Sequence, residues 1–108
     1  MSNQNRPGLE RKQKYIAHMK TAAPSVRLVA CADKIHNIRS LAADYRQAGE
    51  AVWERFRANK EETLWFYREV FRSLIEAGEN RSIFSVLEDE IENLALAVGL
   101  VKKRKMKT

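Results

Sequence analysis

Asp33 is followed by Asn37, Ser40 and Asp44, one, two and three helical turns further on. On an α-helix, steps of three, four and seven return to one side, so these residues would form a narrow polar line. His36 would lie beside that line. A carboxylate and an amide one turn apart, flanked by apolar neighbours, read as the lining of a cleft rather than a solvated face. Spacing alone favours a second reading, because an Asp-x-x-x-Asn pair is a weak signal. Asp33 would then pair with an Arg or Lys of a neighbouring helix, and Asn37 would bridge two helices. His36 alone reads as a hydrogen-bonding core residue. Cys31 has no second cysteine and no convincing base, so it reads as core rather than nucleophile.

The helix that must carry the line is apolar around much of its circumference. Leu28, Cys31, Ile35, Ile38, Ala42 and Tyr45 step by three and four along one face. Val26, Val29, Ala30, Ala32 and Leu41 spread apolar or small residues around the rest. The helix is expected from about Ser25 to the residue before Gly49, a C-terminal stop. A preceding helix is expected over 9–22, between Pro7-Gly8 and Pro24, with Tyr15, Ile16 and Met19 on one side. A short segment from Glu50 to Phe56 holds Val52, Trp53 and Phe56 at helical spacing. Asn59 with Glu62 resembles a capping box. It opens a helix to about Ala77 with Leu64, Tyr67, Phe71, Leu74 and Ile75 on one face, ended by Gly78. The last helix is expected over 82–98, with Ile83, Leu87, Ile91, Leu94 and Val98 inward and Gly99 closing it. Trp53, Phe56, Trp65, Phe66, Tyr67 and Phe71 read as core at this spacing rather than as a base-stacking surface. The expected fold class is all-α, a compact bundle of four to five helices.

Bulk composition agrees with that class. The 108 residues suit one small domain and are 44% hydrophobic and 31% charged. Four glycines and two prolines are too few for a turn-rich β-sandwich. A single cysteine excludes an internal disulfide framework and suits a reducing compartment. The apolar run from Leu94 to Val101 is too short to cross a bilayer, and the first residues lack the apolar stretch of a signal peptide. The expected localisation is cytoplasmic, with no membrane partner. The net charge of +6 sits at the ends. Lys102, Lys103, Arg104, Lys105 and Lys107 crowd the C-terminus, Arg6, Arg11, Lys12, Lys14 and Lys20 lie in the first 24 residues, and the body between is net acidic. The expected division is a disordered N-terminus over 1–8, one helical domain over 9–101 and a solvated basic tail over 102–108. A nucleic-acid partner is not expected, because the bases do not share one folded face with residues that read bases.

The string Val29-Ala30-Cys31-Ala32-Asp33-Lys34-Ile35-His36-Asn37-Ile38-Arg39 resembles the "ADKLHNxR" segment of HD-domain metal-dependent phosphohydrolases. Within them it is most similar to RelA/SpoT-type guanosine polyphosphate (ppGpp) hydrolases and their small single-domain relatives. Similarity continues through Asp44-Tyr45-Arg46, Gly49-Glu50, Val52-Trp53-Glu54-Arg55-Phe56 and Leu64-Trp65-Phe66-Tyr67-Arg68, and upstream through Glu10-Arg11-Lys12-Gln13-Lys14-Tyr15. The resemblance covers about residues 9 to 75. It implies an HD-domain-like all-helical fold, of which this chain corresponds to the C-terminal part. For the complete family domain it also implies a divalent metal, often manganese, held by a His, a His-Asp pair and a later Asp, with no metal in this chain as the alternative. Asp33 matches the later Asp, a metal ligand, and Asn37 matches a residue that contacts the nucleotide substrate. His36 falls where the family accepts His or an aromatic. The implied chemistry is attack of metal-activated water on phosphorus.

The sequence departs from that pattern in one respect. It contains no His-Asp dipeptide, and only His18 precedes Asp33. Asp33 is one ligand of four, so no catalytic set is complete, and the chain is expected to be inactive alone: a truncated product, a fragment or a remnant. The alternatives are a non-catalytic helical interaction module and, further off, a nucleic-acid-binding helical protein. The all-round apolar helix should be central. An apolar surface around Val26, Val29, Ala30 and Leu41 is expected to face water and to make the chain a homo-oligomer, with the Asp33 and Asn37 line near the interface.

Overall fold

A computed structural model describes residues 7–55, 59–76 and 82–100. Helix α1 spans Pro7–Thr21 and α2 spans Pro24–Ala48. A short 3-10 helix, Gly49–Arg55, leads on to α3, Lys60–Glu76, and α4, Ser82–Ala97. No strand occurs among the described residues, so the all-α bundle is as expected. No described helix is long and apolar enough to cross a membrane. Phe56, Gly78 and the basic 102–108 segment lie outside the described residues, as do residues 1–6 of the N-terminal stretch.

The helix ends follow local chemistry. Pro24 occupies the start of α2, where a missing N–H costs nothing, after extended Ala23. Gly49 ends α2 at φ +64°, its N–H donating to the Tyr45 carbonyl. Gly99, at φ +83°, ends α4. There the Leu100 N–H reaches Ala95 O at 3.0 Å and the Gly99 N–H reaches Leu96 O at 3.3 Å, a Schellman closure. Asn59 caps α3, its Oδ1 accepting from the Glu62 N–H at 2.8 Å. The Glu62 carboxylate meets Lys12 of α1 at 3.3 Å.

Helix α2 packs on α4, on the 3-10 helix and on α3, while α1 packs on α3 and α3 also on α4. One apolar core runs through all of them, centred on Cys31 and Ile38 of α2, Val52 of the 3-10 helix, Val70 and Leu74 of α3, and Leu87 and Leu94 of α4. Ile16 and Met19 close it from α1. Several burial expectations need correcting. Ile75 is 45% exposed, and Val70 takes its place on the inner face of α3. Ile83 is half-buried. Among the described members of the aromatic cluster only Tyr67 is buried, and Trp53, Trp65, Phe66 and Phe71 lie half-buried against the core. Val26 and Val29 face water as expected, but Ala30 and Leu41 are buried, because they sit on the flank of α2 turned toward its neighbours. Helix α2 is thus covered on its inner side and open along its outer side.

Candidate functional site

The outer side of α2 carries the polar line. Asp33, Ser40 and Asp44 are exposed and Asn37 is half-buried. Asp33 does not pair with a neighbouring helix. Its Oδ2 accepts from Lys34 Nζ at 3.1 Å, the next residue along, and from Asn37 Nδ2 at 3.4 Å. Asn37 therefore bonds within its own helix rather than bridging two.

Lys34 is the residue that spacing analysis missed. Its side chain is 10% exposed, and its ammonium lies 4.5 Å from the Tyr15 ring centroid and 5.7 Å from that of Phe66. Those rings come from α1 and α3 and meet edge to face at 5.7 Å. The ammonium is held by two aromatic faces and one carboxylate, which compensates its desolvation. A signal was present, since Lys34 stands four residues before Ile38 and seven before Leu41, both buried.

Asn37, Ser40, Leu41 and Asp44 line an open hollow with Tyr67 of α3, about 310 Å³ in volume. Burial, and then the Asp33 charge, push the Tyr67 phenol up to about 12. At neutral pH it is a protonated donor, not a base. The hollow thus offers a carboxylate, an amide and two hydroxyls, a set that can hydrogen-bond a polar ligand. His36 is not part of it. That imidazole is exposed and lies on the other flank of α2, beside a hollow lined by Ala32, Ile35, Arg39, Ile83 and Val86. It is therefore not a core residue. Arg39 closes that side with an ion pair to Glu90 of α4 at 3.0 Å. Cys31 is wholly buried, with its Sγ 3.6 Å from the Ile83 carbonyl. Burial pushes its thiol up to about 11, so it has no thiolate character at neutral pH.

These residues do not by themselves fit a divalent metal. No group of three His, Cys, Asp or Glu side chains converges among the described residues. Asp33 is one carboxylate, and a lysine ammonium already sits 3.1 Å from it. Tyr45 and Glu50, also among the quoted motif residues, have structural contacts. Tyr45 donates to Glu50 Oε2 at 2.6 Å, and Lys60 reaches the same oxygen at 3.4 Å and the Val98 carbonyl at 3.1 Å. This cluster ties the end of α2 and the 3-10 helix to the start of α3 and the end of α4.

Compared with protein-family models and with curated proteins, the chain matches none.

Proposed function

We propose that the chain corresponds to the C-terminal part of an HD-type metal-dependent phosphohydrolase acting on guanosine polyphosphates or related nucleotides, and that it is catalytically incomplete alone. The observation that carries the reading is the Asp33–Asn37 pair. The two side chains sit one turn apart, in contact at 3.4 Å, on the outer side of the longest helix. That is where a ligand or a further set of side chains can reach them. Asp33 would be one ligand of a divalent ion, and the His and His-Asp ligands of the family pattern have no counterpart in this sequence. Asn37, beside Ser40 and Tyr67, would orient the nucleotide by hydrogen bonds.

The test is hydrolysis of ppGpp by the purified chain with and without Mn²⁺, against a metal-only control. No turnover is expected. Metal-dependent activity abolished by Asp33→Ala would overturn the claim of incompleteness. A second reading, a non-catalytic interaction module, is favoured by the Asp33–Lys34 contact and by the structural roles of Tyr45 and Glu50.

A further inference from the structure

Along the outer side of α2, Val26, Val29, Asp33, His36, Ser40 and Ala43 recur at alternating steps of three and four, and all six are exposed. Val29, at 68%, is the most exposed large hydrophobic side chain among the described residues. Steps of three and four mark the seam along which two helices interlock, yet every side chain of this seam stays exposed in the single chain.

The six residues are complementary to themselves. Two copies of α2 laid antiparallel, with a two-fold axis between Lys34 and Ile35, place Asp33 opposite His36. Val29 falls opposite Ser40, and Val26 opposite Ala43. Each branched aliphatic side chain meets a small one, and each carboxylate meets an imidazole. The two-fold repeats every pairing, so the contact closes at two copies. The seam spans about 26 Å at 1.5 Å per residue. Both bonds of Asp33 within its own chain end on Oδ2, and its side chain is 55% exposed, so it remains accessible to a partner.

We propose that the outer face of α2 is the docking surface for a second copy of this chain, packed antiparallel with Asp33 against His36. This interface does not rest on the phosphohydrolase reading.

Sedimentation equilibrium at neutral pH across the micromolar range tests it. The chain is expected to form a dimer that dissociates on dilution. His36→Asp sets carboxylate against carboxylate and is expected to weaken the dimer by more than about tenfold. Asp33→His alone removes the same complementarity and should also weaken it. The double exchange, Asp33→His with His36→Asp, restores the pairing and should restore dimerisation. Val29→Asp should abolish it. Every substituted position is exposed, and circular dichroism confirms that each variant remains helical. A chain that stays monomeric at every concentration overturns the proposal and leaves the face to a different polypeptide. A dimer indifferent to His36→Asp and Val29→Asp also overturns it, because the contact then lies elsewhere.

Discussion

At the scale of single residues, Asp33 is the position on which the structural and functional readings diverge. Its carboxylate is more than half exposed and its cationic partner is the adjacent Lys34. An ion pair open to solvent on one side contributes little, and Lys34 keeps its two aromatic faces when the carboxylate is removed. Asp33→Ala is therefore expected to change stability by less than ~1 kcal/mol in urea melts. A loss of ~3–5 kcal/mol would instead identify the anchor of a buried pair. The polar line was legible from spacing because helical geometry alone puts Asp33 and Asn37 one turn apart. The surroundings of Lys34 were not legible. Tyr15 and Phe66 lie nineteen residues before it and thirty-two after it, and only tertiary packing brings them to its ammonium. The division between Asn37 and His36 was hidden for the same reason: which flank of α2 meets α3 and which meets α4 is set by topology.

At the scale of elements, helix stops and caps follow from local chemistry, whereas burial depends on which neighbours each helix meets. Gly49, Gly99 and Asn59 act as the stops and cap their types suggest, because each supplies a local conformation or hydrogen bond that needs no distant partner. Asn59→Ala removes the acceptor for the Glu62 N–H and should lower stability by ~0.5–2 kcal/mol, with Asn59→Asp retaining most of it, as thermal or urea melts will show. Ile75 shows the limit of periodicity. It lies one residue beyond buried Leu74, and the partners of α3 reach only as far round as Val70 and Leu74. The Tyr45–Glu50–Lys60 cluster makes a prediction about pH. The hydrogen bond to Glu50 is the main cause that raises the Tyr45 phenol above its ordinary 10.0. The same bond, with Lys60 adding to it, lowers the Glu50 carboxyl below its ordinary 4.5. A raised phenol contributes stability that is full below its ordinary value and is lost as pH rises through its folded value. A lowered carboxyl contributes stability that is full above its ordinary value and is lost as pH falls through its folded value. The melting-temperature difference between the native chain and Tyr45→Phe should therefore be widest and flat between those limits and shrink toward both extremes. A difference independent of pH would mean that the 2.6 Å contact does not hold in solution.

At the scale of the whole molecule, the bundle has a covered inside, and the outer side of α2 carries Val29, the most exposed large hydrophobic side chain among the described residues. The all-α class followed from composition and periodicity, since few glycines and repeated three-and-four spacing leave little else. The expectation that α2 would be wrapped on several sides held only in part. Its inner side meets α4, the 3-10 helix and α3, while its outer side presents Val26, Val29 and Asp33 to solvent. A long helix left open in this way is suited to completing something: a second copy by its exposed seam, or the remainder of a phosphohydrolase site by Asp33 and Asn37. The phosphohydrolase account is tested most directly by complementation. The chain is mixed with a separately produced polypeptide carrying the His and His-Asp segments of a RelA/SpoT-type hydrolase domain, and manganese-dependent hydrolysis of ppGpp is followed. Neither piece alone is expected to turn over ppGpp; the mixture is, and Asp33→Ala in the chain should abolish that turnover. A mixture in which the two pieces bind each other yet hydrolyse nothing, or one whose activity is unaffected by Asp33→Ala, would contradict the phosphohydrolase reading.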